Sequence, residues 1–192
     1  MKFSLKTDNY KNFDMYKDNV MKPRSYFIPF SGDEDLQQIN ITNERYNSSM
    51  TAVLSGEWDF KYFKKVSDMP AEIETQTFIF DKVQVPSTWQ HTGYEEPYYL
   101  NSRYPFNPNP PYFPEDCPVA VYHKMFNLDD IDGNFIITFL GVAGSLDLFV
   151  NGKYVGYSEG SHNTAEFELN DFVAEGTNEI CVVNHKLSLI HI

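Results

Sequence analysis

Residues 85–114, VPSTWQHTGYEEPYYLNSRYPFNPNPPYFP, restrict the fold of this chain more than any other stretch. Prolines stand at 86, 97, 105, 108, 110, 111 and 114. Proline fixes φ and removes a backbone donor, so a run this dense forms neither a helix nor a central strand. Between the prolines lie Trp89, Tyr94, Tyr98, Tyr99, Tyr104, Phe106, Tyr112 and Phe113, whose rings carry too much apolar area to be left in water. The combination predicts a long irregular loop pinned to a rigid body by its aromatic side chains. Loops longer than about 12–15 residues in a compact domain are as a rule functional or disordered. The aromatic content argues against disorder.

The rigid body reads as β structure. Trp58, Phe60 and Tyr62 alternate with charged residues, the period of a strand with one wet face. Residues 78–85 form a second strand-like run, stopped by Pro86, and residues 119–126 a third. Residues 135–140, FIITFL, are apolar on both faces, as expected of a central strand. Runs 145–150 and 153–158 flank Asn151-Gly152, a hairpin signal because both central residues must take positive φ. Residues 165–169 alternate again, and 180–183 are a short apolar run. No segment with a helical period exceeds about two turns. Short strands with turn signals between them predict an all-β, antiparallel sandwich or jelly roll. Trp58, Phe60, Phe139, Leu148 and Val150 are its expected core.

Residues 1–49 are polar apart from the island Tyr26-Phe27-Ile28-Pro29-Phe30. They read as an extended arm, either making a domain or subunit contact or folded back on its own sandwich. The expected division is an arm (1–49), a sandwich (50–183) and a tail (184–192).

Composition excludes several classes. A net charge of −12 weighs against nucleic acid, whose phosphates need a basic face. No apolar run approaches the ~20 residues of a membrane span, and the N-terminal residues have no apolar core of a secretory signal. These features point to a cytoplasmic protein. Cys117 and Cys181 have no metal or redox spacing and read as unpaired thiols. The scattered histidines suggest no metal site. Adjacent Glu95 and Glu96 would point to opposite sides of an extended chain, so they read as solvated loop charges rather than an acid–base pair. Asp129, Asp130 and Asp132 lack the glycine and glutamate of a calcium loop and read as a turn.

The motifs then fall into a recognisable order. Leu54-Ser-Gly56-x-Trp58-x-Phe60, Val85-Pro-Ser-Thr-Trp89-Gln, Gly93-Tyr94, Pro97-x-Tyr99, Asn101-x-x-Tyr104-Pro105 and Asn109-Pro-Pro111 resemble the amino-terminal sugar-binding domain of glycoside hydrolase family 2 β-galactosidases. Leu148-Phe149-Val150-Asn151-Gly152-x-x-Val155-Gly156-Tyr157-Ser158, Ala165-Glu166-Phe167-x-Leu169 and Gly176-x-Asn178-x-Ile180 continue the likeness. The resemblance implies a jelly-roll, galactose-binding-like sandwich. It implies that Asn101 contacts the sugar, an amide being able to donate to and accept from one hydroxyl. Trp89, Tyr94, Tyr99 and Tyr104 could stack on sugar faces or anchor the loop.

In the family, the last strand leads to an Asp-Gly-Ser-Tyr segment and then to a catalytic barrel with two glutamates and magnesium ligands. Here residues 184–192 read NHKLSLIHI. The expectation is a truncated or frameshifted copy, or an assembly artefact, with no catalytic residue and no cofactor of its own. Magnesium and sodium are implied for the complete enzyme only. A β-galactoside would bind only with the missing barrel, and the other implied partners are subunits of a homo-oligomer. A free-standing carbohydrate-binding module and a structural interaction domain are the competing readings.

Overall fold

A computed structural model of the protein describes residues 1–97, 106, 109, 111–114 and 116–187. Its strands in chain order are β1 (Lys2–Ser4), β2 (Lys17–Asp18), β3 (Gly56–Phe63), β4 (Glu72–Glu74), β5 (Asp81–Val85), β6 (Val119–Leu128), β7 (Ile136–Phe139), β8 (Ser145–Val150), β9 (Lys153–Glu159), β10 (Ala165–Glu168) and β11 (Gly176–His185). Helix is confined among the described residues to one α-helical turn, Ile41–Glu44, and short 3₁₀ turns.

Seven strands form an antiparallel sheet in the order β2-β9-β8-β11-β6-β3-β5. β11 lies between β8 and β6, paired with β6 along its whole length from Gly176↔Leu128 to His185↔Val119. Alternation along these strands builds two different faces. Trp58, Phe60, Leu146, Leu148, Val150, Ile180 and Val182 point one way and are covered by Ile137 of β7 and Phe167 of β10. The β7–β10 pair is thus the second layer of a sandwich. Val119, Val121, Phe149, Cys181 and Val183 point the other way, beneath Phe3, Leu5, Met69 and Ile73. Those covering residues come from the chain's start and from the connection between β3 and β5, joined as the small β1–β4 sheet.

The arm is therefore folded back on its own sandwich over much of its length. Leu5 donates its N–H to Ala71 at 2.8 Å, β2 pairs with β9, and Arg24 grips Glu166 with two guanidinium hydrogen bonds of 2.8 and 2.9 Å. Tyr26 and Phe27 of the island remain about half exposed, at 49% and 56%.

Some strands differ from the sequence reading. Residues 136–139 pair with β10 in the smaller layer and are not central. Apolar residues on both sides of a strand do not reveal its hydrogen-bond partner. Here Ile136 and Leu140 face outward, and Phe139 is only half-buried. The strand at 78–85 begins only at Asp81, because Thr77 and Phe78 turn back to donate to the Glu74 carbonyl. β11 runs to His185 rather than stopping at Val183, since the ladders with β6 and β8 satisfy its backbone that far. The 151–152 hairpin forms as read, with Asn151 at φ 50° and Gly152 at φ 80°. The Asn151 side chain also accepts from Glu179 N–H at 2.9 Å and donates to the Phe172 carbonyl at 2.9 Å, fixing the hairpin to β11.

Candidate functional site

The Pro-rich loop leaves β5 at Val85, and its described returning limb reaches Cys117, two residues before β6. Its outgoing limb is held by rings. Trp89 is 8% exposed, packs its edge on Tyr62 at 5.3 Å between centroids, and donates its indole N–H to the Tyr122 hydroxyl at 2.7 Å. Tyr94 meets Phe60 at 4.7 Å, and Tyr122 meets the same ring at 4.8 Å. Burial pushes the Tyr122 phenol up to about 12 despite the indole hydrogen bond, which favours the phenolate. A tight turn reinforces the limb: Thr92 N–H donates to the Thr88 carbonyl and Tyr94 N–H to the Trp89 carbonyl.

Glu95 corrects the sequence reading. Its side chain is 6% exposed and is not a solvated loop charge. Tyr62 donates its hydroxyl to Oε1 at 2.9 Å, Gln90 donates an amide N–H to Oε2 at 3.0 Å, and Lys186 Nζ stands 2.5 Å from Oε2. The carboxylate thereby links the loop's base to β3 and to the residue following β11. Burying it is tolerated because both oxygens are engaged and a cation neutralises the charge. Glu96, its neighbour, is exposed as expected.

The returning limb uses a different set of contacts. Tyr112 N–H donates to the Asn109 carbonyl at 2.9 Å. Phe113 sets its edge on Tyr10 at 4.7 Å, and Tyr10 stacks on His185 at 4.0 Å. A groove of about 1000 Å³ lies between this limb and the chain's start, lined by Tyr10, Lys11, Lys65, Tyr112, Phe113 and His185 among others. Cys117, 1% exposed, closes the limb, its thiol pushed up to about 12 by burial.

Of the residues expected at a sugar site, Trp89 and Tyr94 are anchors of the loop. Asn101, Tyr99 and Tyr104 lie outside the described residues. Sequence patterning missed the Glu95–Lys186 tie and the Tyr10–His185 stack, because both join residues far apart in the chain and neither follows a local period. The turn at 129–132 is as read, with Asp130 accepting from Asp132 N–H at 3.2 Å. Among the described residues no helix is long and apolar enough to cross a membrane.

This architecture is a two-layer antiparallel β-sandwich whose described loop limbs are anchored to it by rings and by an ionic tie. The family described as glycosyl hydrolases family 2, sugar binding domain, matches residues 51–189, and the chain belongs to that family. It is 36% identical over 165 residues to a β-galactosidase of Actinobacillus pleuropneumoniae, which aligns over 86% of this chain and 16% of that protein. It is 41% identical over 134 residues to a β-galactosidase of Oenococcus oeni, covering 68% of this chain and 13% of the relative. The chain thus spans less than a fifth of the length of these relatives. Among solved structures, a β-glucuronidase of Faecalibacterium prausnitzii shares the fold with a TM-score of 0.50 at 14% identity, over 69% of this chain and 20% of that one.

Proposed function

We propose that this chain forms the sugar-binding wall of a β-galactosidase that hydrolyses terminal β-galactosides such as lactose. The carrying observation is the family match over residues 51–189, joined to β-galactosidase relatives that extend far beyond the matched part. In this reading the described sandwich is a scaffold, and the rings and Glu95 at its end hold the base of the loop that bears Asn101. The amide of Asn101 hydrogen-bonds a galactose hydroxyl in a site completed by the remainder of the longer enzyme. A retaining hydrolysis needs an acid and a nucleophile about 5–5.5 Å apart across the sugar, and this reading assigns both to that remainder.

In this reading magnesium and sodium belong to the remainder of the longer enzyme. Among the described residues no three His, Cys, Asp or Glu side chains are grouped to hold a metal. The oligomer contacts of the complete protein would involve the exposed Tyr26 and Phe27. A cytoplasmic location is supported by Cys117 and Cys181, which are unpaired and buried.

The test is complementation. The chain is mixed with a β-galactosidase of close sequence lacking its own sugar-binding domain, and nitrophenyl galactoside hydrolysis is followed. Activity is restored in the mixture and absent from the isolated chain. Asn101→Ala leaves assembly intact and lowers turnover about tenfold, the loss of one hydrogen bond of ~1.4 kcal/mol. Complementation by Asn101→Ala as full as by the parent overturns the site assignment. Galactose should bind the isolated chain only at about millimolar Kd or weaker, because a few hydrogen bonds barely cover the cost of ordering the ligand. Sub-micromolar binding of galactose or lactose would instead favour a free-standing carbohydrate-binding module.

A further inference from the structure

The second face of the large sheet carries an ionic cluster to which the sugar-binding reading assigns no role. His123 of β6 is buried, at 4% exposure, with Asp59 Oδ2 of β3 at 2.8 Å from Nδ1 and Glu179 Oε2 of β11 at 3.2 Å from Nε2. Phe80 stacks on the imidazole at 5.4 Å and closes it from solvent. Each carboxylate continues outward. Lys82 of β5 stands 2.7 Å from Asp59 Oδ1 and also 3.4 Å from Glu57. Thr75 donates its hydroxyl to Glu179 Oε2 at 2.7 Å, and the Met1 ammonium lies 3.6 Å from Glu179 Oε1. The same ammonium donates to Thr75 Oγ1 at 2.8 Å. Glu179 is therefore the point at which the small β1–β4 sheet is tied to the large one. Outside it, Lys2 pairs with Glu72 across β1 and β4 at 2.7 Å.

Beneath that small sheet lie Phe3, Leu5 and Ile73, packed on Val121, Phe149 and the fully buried Cys181. β1 is only three residues long and, among the described residues, pairs with β4 alone. The β1–β4 pair is thus held to the large sheet by this apolar contact and by the Glu179 tie.

We propose that β1 is an acid-released cover: Glu179 and Asp59, clasping His123 between them, hold the β1–β4 sheet closed, and protonation of the two carboxylates lets it lift and uncovers Cys181. The charge balance gives the direction. With both carboxylates ionised, the cluster sets two anions against the Met1 ammonium and Lys82 around the imidazole. With both neutral, the Met1 ammonium has lost its anion and Lys82 keeps only Glu57, and the Lys2–Glu72 pair weakens in the same pH range. The segment that escapes at least cost is the short one carrying Met1, since β3, β6 and β11 are bound by long ladders. Burial alone would raise both carboxyls. Lys82 and His123 beside Asp59, and Thr75 and His123 beside Glu179, outweigh it and hold both below the ordinary carboxylate range. A carboxyl depressed in the fold stabilises it above its unfolded value and loses that contribution as pH falls through its folded value. Opening therefore begins below about pH 4.

The experiment reads Cys181 in the full chain with Cys117→Ser, using 4,4′-dithiodipyridine, which reacts with thiols in acid. Rates are normalised to the unfolded chain at the same pH. Between about pH 6.5 and about pH 3, the labelling rate should rise about tenfold or more while the far-ultraviolet circular dichroism of the sheet is retained. Glu179→Gln should raise the rate at the upper pH and flatten the dependence. Hydrogen exchange on the unsubstituted chain gives the same test without a variant: β1 and β4 amides lose protection in acid while the β6–β11 ladder keeps it. Labelling that accelerates only where the circular dichroism collapses, a Glu179→Gln rate profile identical to the parent's, or uniform protection across the range would each overturn the proposal.

Discussion

The two faces of the large sheet are built on opposite principles. One buries an extended apolar cluster and is covered by two strands, β7 and β10, that pair with each other. The other mixes an apolar centre with buried charge. His123 sits in one part of it, and Asp147, fully buried, in another, where Asn9 donates to its Oδ1 at 3.0 Å and His185 Nε2 stands 3.7 Å from its Oδ2. Its cover is the chain's own start and an irregular connection. An apolar layer needs only shape and is stabilised in proportion to the area it removes from water. A layer holding charge needs each partner in place, so its integrity depends on the short segments that supply those partners.

Substitution at matched positions separates the two. Phe60, 0% exposed, meets both Tyr94 and Tyr122 on the apolar face. Phe60→Ala should cost about 3–5 kcal/mol, a large part of the ~5–15 kcal/mol that holds a domain together, and should abolish the cooperative unfolding transition. Phe3, also 0% exposed, belongs to the three-residue strand on the other face. Phe3→Ala should cost less globally and act locally, with β1 and β4 amides losing protection while β6 and β11 keep theirs. Chemical denaturation and hydrogen exchange of the two variants make the check. Equal global losses would erase the distinction between the faces.

The apolar face was legible in the sequence because its residues alternate within single strands. Trp58 and Phe60 on β3, and Leu148 and Val150 on β8, are buried as their period requires. The other face was not, because its cover is supplied across long separations. Nothing in the period of residues 1–5 announces that Phe3 and Leu5 will sit on Val121 and Cys181. The same limit applied at the loop. Its irregularity and its anchoring by rings follow from proline and aromatic content alone. The ionic fastening of its base depends on Lys186 meeting Glu95, 91 positions earlier in the chain. Residue type pointed to a solvated glutamate, and tertiary context buried it. Asn101, the residue on which the sugar reading turns, is marked by the likeness to a family and by no local pattern of its own.

That fastening gives a prediction of intermediate size. Lys186→Met removes the cation and leaves the Glu95 carboxylate with Tyr62 and Gln90 as neutral donors. The loss should be about 1.5–3 kcal/mol, the range for hydrogen bonds to charged groups. The double variant Lys186→Met, Glu95→Gln should recover part of it, because no uncompensated charge is then left in the interior. Urea midpoints of the three chains decide this. A double variant no more stable than the single one would mean that water already reaches Glu95.

The smallest effect is expected where the loop meets the apolar face through a neutral hydrogen bond. Trp89→Phe keeps a ring against Tyr62 but deletes the indole N–H that Tyr122 accepts. The cost should be about 1 kcal/mol, the net worth of such a bond. Alkali supplies the sharper reading. Burial holds the Tyr122 phenol up to about 12, so the fold prefers its neutral form. That preference contributes fully below the ordinary tyrosine value of about 10 and is lost as pH rises through about 12. The indole N–H works against the shift, since a donor favours the phenolate it points at. Removing it should therefore move the Tyr122 transition to still higher pH, opposite to what a loosened, better hydrated loop would give. Ultraviolet titration of parent and variant separates these outcomes. A midpoint that falls toward that of an exposed tyrosine would show that Trp89 seals the apolar face from water, a larger role than donating one hydrogen bond.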